Sequence, residues 1–182
     1  MRKWLPAFAL SAALISSVLA APQALAQDSK PVLEKVPGTN VVLSPSAARD
    51  PQTRALAAAD PAAVQAGGLL CGSGYELALV ERLPDSRRFG TLFTYIKEVT
   101  EPAMSGACAV FDNNLGVKKH MKLKLCWTTC KTDEGTFSDY AGPVKYESNA
   151  EEFQPRCVMV TALMWSDNVA IINRELHVDA CD

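Results

Sequence analysis

The chain has little of what most enzymes and nucleic-acid binders rely on. It holds only two histidines, His120 and His177, so a histidine-based catalytic or zinc centre has few groups to draw on. No Gly-x-Ser-x-Gly occurs; Ser73 between Gly72 and Gly74 reads as a permissive turn, not as a nucleophile elbow. No Cys-x-x-Cys occurs. Cys126 and Cys130 are separated by three residues on a predicted strand end, which suits a disulfide better than a redox or zinc site. The adjacent carboxylates Asp133-Glu134 and Glu151-Glu152 point apart, whereas glycoside hydrolysis sets two carboxyls about 5–9 Å apart across a cleft. A basic excess is missing as well. These absences weigh against an enzyme, a nucleic-acid partner and any cofactor, and they leave a hydrolase with an unrecognised site as a lesser alternative.

Only one long apolar run is present, at the start. Arg2 and Lys3 precede an apolar stretch over residues 4 to about 21, and Ala24-Leu25-Ala26 closes it with small residues. This is the layout of a cleaved secretory signal over 1–26, with Gln27 as the new N-terminus. Pro6, several serines and a length at the short limit for a span argue against a retained membrane anchor. No cysteine follows the cleavage region to take a lipid. The expected product is therefore exported, periplasmic or extracellular, with no membrane partner after cleavage. Taking Arg2 and Lys3 from the 18 basic side chains leaves 16 against 20 acidic ones, a mildly acidic balance unsuited to binding phosphate backbones.

Residues 27–68 carry neither cysteine nor aromatic residues and are rich in Ala, Pro, Ser and Asp. Asp50-Pro51 and Asp60-Pro61 each offer an N-cap followed by proline, which predicts short helices near 51–59 and 61–66, the second ended by Gly67-Gly68. With little apolar surface to hold them, this segment reads as an extension or linker before a domain over 69–182.

From Cys71 onward the pattern is β. Runs over 75–82, 91–99, 107–111, 117–127, 140–147, 157–165 and 169–178 give about seven strands with short connections. In the clearest, Met121, Leu123, Leu125 and Trp127 alternate with Lys118, His120, Lys122 and Lys124, a strand with one buried and one wet face. Residues 131–135 read as a polar turn, and Pro143 consigns its run to an edge or bulge. The fold class is all-β, a small antiparallel sandwich or barrel.

Cys71-Gly72-Ser73-Gly74-Tyr75, Gly90-Thr91-Leu92-Phe93-Thr94-Tyr95, Cys108-Ala109-Val110, Asp139-Tyr140-Ala141-Gly142-Pro143-Val144 and Cys157-Val158 together resemble the spore-associated protein A family of exported bacterial proteins. The resemblance spans roughly 71–165. It implies a small exported β domain of the cell or spore surface with no catalytic role. Cys126, Cys130 and the segment before Cys71 are additional to the family pattern. The six cysteines of an exported chain read as three disulfides. Two additions so close together pair most simply with each other, Cys126–Cys130. The shared four are then assigned by sequence neighbourhood to Cys71–Cys108 and Cys157–Cys181, with Cys71–Cys157 and Cys108–Cys181 as the alternative. Loop entropy gives about 4, 2 and 3.5 kcal/mol for 71–108, 126–130 and 157–181.

The expected role is a structural or surface-associated one, with a secreted binding module or inhibitor as the alternative. Lys118, His120, Lys122 and Lys124 form the candidate face for an anionic polymer of a cell or spore surface, although lysines on an exposed strand also serve solubility. An inhibitor would present the Cys126–Cys130 loop.

Overall fold

The computed structural model of the protein describes residues 34–85, 88–99 and 103–181, all within one compact unit. The export signal read over 1–26 lies outside the described residues.

Among the described residues two helices, α1 (Pro51–Ala59) and α2 (Pro61–Cys71), precede eight strands. The strands are β1 (Glu76–Leu83), β2 (Gly90–Lys97), β3 (Ser105–Asn113), β4 (Lys119–Cys126), β5 (Cys130–Phe137), β6 (Tyr140–Ser148), β7 (Met159–Ser166) and β8 (Val169–His177). They form two four-stranded antiparallel sheets, ordered β1-β2-β3-β6 and β5-β4-β7-β8. The sheets are separate, so the architecture is a sandwich.

Alternation along the strands decides what each face buries. Leu92 and Ile96 on β2, with Ala107, Ala109 and Phe111 on β3, meet Met121, Leu123 and Leu125 of β4 and Val160, Ala162 and Met164 of β7 in one core between the sheets. The opposite parity, Phe93 and Tyr95 on β2 with Cys108 and Val110 on β3, turns to the helices and packs with Val36, Val41, Leu43, Ala57 and Val64. β2 is therefore buried on both faces, which is why its sequence is a continuous run with no polar side. Thr94, fully buried, donates to the Val178 carbonyl at 2.6 Å, so its hydroxyl is satisfied in the core.

Three sequence readings change here. Residues from 34 onward are part of the fold, not an extension. Leu77 N–H donates to Val42 O at 2.7 Å and Ser44 N–H to Leu77 O at 2.8 Å, stitching this segment to β1. Ser44 and Ser46 donate to the buried Asp179 carboxylate near the other end of the chain. Second, α2 runs through Gly67 and Gly68 to Cys71. The reason is close approach: a Cβ on Gly67 would strike the Tyr95 hydroxyl, which donates to Val64 O at 2.9 Å. Third, residues 130–137 form β5 where a turn was expected over 131–135. This edge strand is polar on both faces and so shows no hydrophobic period, but it pairs in register with all of β4.

Pro143 lies on β6, an edge strand, opposite a register shift between Ala109 and Phe111. Gly142 is needed there: its φ is +100°, and a Cβ would sit 2.9 Å from both the Ala109 carbonyl and Leu123 Cδ2. Asp133 of β5 accepts from Gly142 N–H at 2.7 Å, fastening the crossing from one sheet to the other.

The β7–β8 hairpin closes through Asp167 and Asn168, both in the left-handed region with φ of 50° and 66°. Two successive residues of this kind match the twist of paired strands. Replacing Asn168 by alanine should cost about 1 kcal/mol, because alanine gains nothing locally to offset the left-handed backbone. Glycine at the same position should cost little. Urea denaturation midpoints of the two variants check this.

Candidate functional site

Of the four sheet faces, two meet in the core and the outer face of β1-β2-β3-β6 is covered by the helical layer. The outer face of β5-β4-β7-β8 is left open, and it is the face that carries the lysine strip of β4. Register sets its rows. Thr136, His120, Trp165 and Ala170 stand side by side across the four strands. Glu134, Lys122, Leu163 and Asn173 form the next row, followed by Thr132, Lys124, Thr161 and Glu175.

Glu134 organises the centre. Lys122 Nζ lies 2.8 Å and His120 Nε2 3.4 Å from its two carboxylate oxygens. The hydrogen bond from Lys122, helped by the charges of Lys122 and His120, holds the Glu134 carboxyl below its ordinary range. The strip is thus partly neutralised in the middle and positive at its ends. Lys118 and Lys124 make no ion pair among the described residues. Such exposed pairs add little stability, so their importance is in placing charge.

His120 stacks on Trp165, with ring centroids 4.6 Å apart and planes 23° from parallel. Beyond Trp165, the side chains of Lys119, His120, Ser166, Asp167 and Asn168 help line a shallow depression of about 510 Å³. Lys119 Nζ donates to Ser166 Oγ at 2.7 Å. This contact ties the start of β4 to the end of β7. Sequence reasoning missed Trp165 and the 166–168 turn as neighbours of His120. The pairing of β4 with β7 joins segments distant in sequence, and no local pattern signals it.

The other residues singled out from sequence lie apart. Ser73 is exposed in the turn between α2 and β1, and His177 is exposed at the end of β8. Glu134 faces Lys122 while Asp133 turns to Gly142 N–H, so this carboxylate pair does point apart. Glu151 and Glu152 are exposed in the turn before the short 3₁₀ segment Pro155–Cys157. Among the described residues no three His, Cys, Asp or Glu side chains are grouped to hold a metal.

The cysteines are bonded Cys71–Cys108, Cys126–Cys130 and Cys157–Cys181. The first joins the end of α2 to the middle of β3 and is buried. The second closes the β4–β5 hairpin. Its loop is tied down: Trp127 meets Phe153 edge-on at 5.7 Å, and Thr128 and Thr129 hydroxyls lie 3.1 and 3.4 Å from the Tyr146 hydroxyl.

Fold and face together define a class: an all-β, disulfide-bonded sandwich with one open, basic and aromatic sheet face. No family model, curated protein or solved structure matches the chain. Among the described residues no helix is long and apolar enough to cross a membrane.

Proposed function

We propose that this is an exported, non-catalytic protein of an outer cell surface, as the likeness to the spore-associated protein A family implies, and that it works by holding an anionic surface polymer on the outer face of β5-β4-β7-β8. Export is supported by the signal pattern over 1–26 and by three disulfides, which persist in oxidising compartments. The observation that carries the binding role is the open face itself. Lys118, just before β4, and Lys124 within it make no ion pair among the described residues, and six residues of extended chain separate them by roughly 20 Å. That spacing matches an extended polymer with spaced negative charges better than a small ligand, the lysines alternating on the face with Glu134 and Glu175.

The test is retention of the exported protein on immobilised polygalacturonate, eluted with a salt gradient. The native protein should be retained at about 50 mM salt and released as screening sets in. Lys118→Glu together with Lys124→Glu should pass through at the same salt with an unchanged melting temperature, since neither lysine holds the fold. Equal retention of the variant would remove the reading.

A further inference from the structure

The depression beside Trp165 is more specific than a charged surface needs. His120 covers one face of the Trp165 ring. On the opposite flank the register neighbour is Ala170, exposed and too small to cover the indole, followed by Val169 at 65% exposure. The β7–β8 register shifts here, Met164 of β7 pairing with Ile172 and Trp165 with Ala170 so that Ile171 of β8 is passed over, and such irregularities re-aim side chains. The result is a slot beside Trp165, flanked by the small Ala170 on the neighbouring strand and rimmed by Ser166, Asp167 and Asn168, which line the depression.

We infer that this slot binds a pyranose ring of an acidic polysaccharide, the apolar face of the sugar stacking on Trp165 and its hydroxyls meeting Ser166, Asp167 and Asn168. The inference rests on the anionic-polymer reading of the same face and names its ligand class. Aromatic rings with an exposed face suit flat, partly apolar partners. The rim then decides between polyanions. Lys118 and Lys119 stand on it, which favours a carboxylated or otherwise acidic chain. Asp167 stands there too, its Oδ2 3.4 Å from Ser166 Oγ. A carboxylate repels a bare polyanion such as polyphosphate, whereas a sugar offers it hydroxyl donors. Asn168 adds an amide that can both donate and accept. The rim therefore matches a polyhydroxylated ligand with spaced negative charges, and the left-handed turn through Asp167 and Asn168 fixes two of its members.

The test compares polygalacturonate with linear polyphosphate as probes of the exported full-length protein, by calorimetry and tryptophan fluorescence. Two variants accompany it: Trp165→Ala, which removes the wall, and Ala170→Trp, which fills the slot from an exposed position and leaves the core alone. Polygalacturonate should bind at least ~10-fold more tightly per negative charge than polyphosphate, and each variant should weaken it by about tenfold. Binding of polyphosphate should not change in either. Because Trp165→Ala removes a half-buried ring, Ala170→Trp carries the decision if the first variant melts early. Equal binding of the two polymers, or full polygalacturonate affinity in Ala170→Trp, overturns the pyranose slot. If affinity is then still lost in the Lys118→Glu, Lys124→Glu protein, the basic face survives without a sugar site. If that protein also binds fully, the polymer-binding face falls as well. Self-association in sedimentation with no binding of either polymer overturns both in favour of a second copy of the chain.

Discussion

Replacing Cys71 and Cys108 together by alanine should lower the melting temperature by about 10 °C, the largest loss expected from removing any one of the three disulfides. Two effects combine. The bond closes a separation of 37 residues, for which loop entropy gives about 4 kcal/mol. Both cysteines are also buried against the sheet, at 1% and 0% exposure, so their loss leaves unfilled space where α2 meets β3. α2 has few large apolar side chains of its own to hold it there: Val64, Gly67 and Cys71 are its buried residues. The contrast is Cys126–Cys130, which spans 4 residues on an exposed hairpin already aligned by the β4–β5 ladder. Its removal should cost no more than about 2 kcal/mol. Thermal unfolding of the two double variants gives the order, and a Cys126–Cys130 loss equal to the first would contradict this account of the helical layer.

Asp112→Asn should stabilise the protein at pH 8 by about 2 kcal/mol and change nothing at pH 3. Asp112 lies on β3 with its carboxyl toward the helices. Burial, and secondly the charge of Asp60 at the start of α2, push it up from 3.8 to about 6. The native state thus holds this proton more tightly than the unfolded chain does. Stability from the group is complete below 3.8 and is lost as pH rises through about 6. At about 1.4 kcal/mol per pH unit the ceiling is about 3 kcal/mol, and partial contact with water brings it to about 2. The amide cannot ionise, so the variant should lack this decline. Glu98, Glu134 and Glu147 are held low by Arg156, Lys122 and Lys97, and act with the opposite sign as the solution is acidified. Their effect is common to both proteins, so the difference in denaturation free energy between native and variant, followed from pH 3 to 8, isolates Asp112. A flat difference would refute the assignment.

How much was legible from the amino acids depended on which surfaces each segment meets. β4 was plain because one face is core and the other water, the condition under which alternation appears. β2 could be recognised only by its density of β-branched and aromatic residues, since the helical layer buries the face that would have been polar. β5 was missed for the reverse reason: neither side enters the core, apart from the partial burial of Phe137. The segment before Cys71 misled through its small residues. A poor core of its own suggested a tail, but Ala47 and Ala57 share a buried cluster with Phe93, Tyr95 and Val80, and Gly67 lies so close to Tyr95 that no side chain fits. On the open face, the lysines of β4 could be read as a strip. The aromatic wall beside them could not, because it is brought there by the pairing of His120 with Trp165 across two strands that are not consecutive.

Cys157 stands just before β7 and Cys181 just after β8, so their bond encloses the whole hairpin in a covalent loop with a separation of 24 residues. A tug on the C-terminal end passes from Cys181 through sulfur to Cys157 and bypasses the hydrogen bonds between β7 and β8. The strand that carries Trp165 is thereby shielded from peeling. Tension applied at Cys181 is borne by a covalent link, and the outer face of β5-β4-β7-β8 keeps its shape under load.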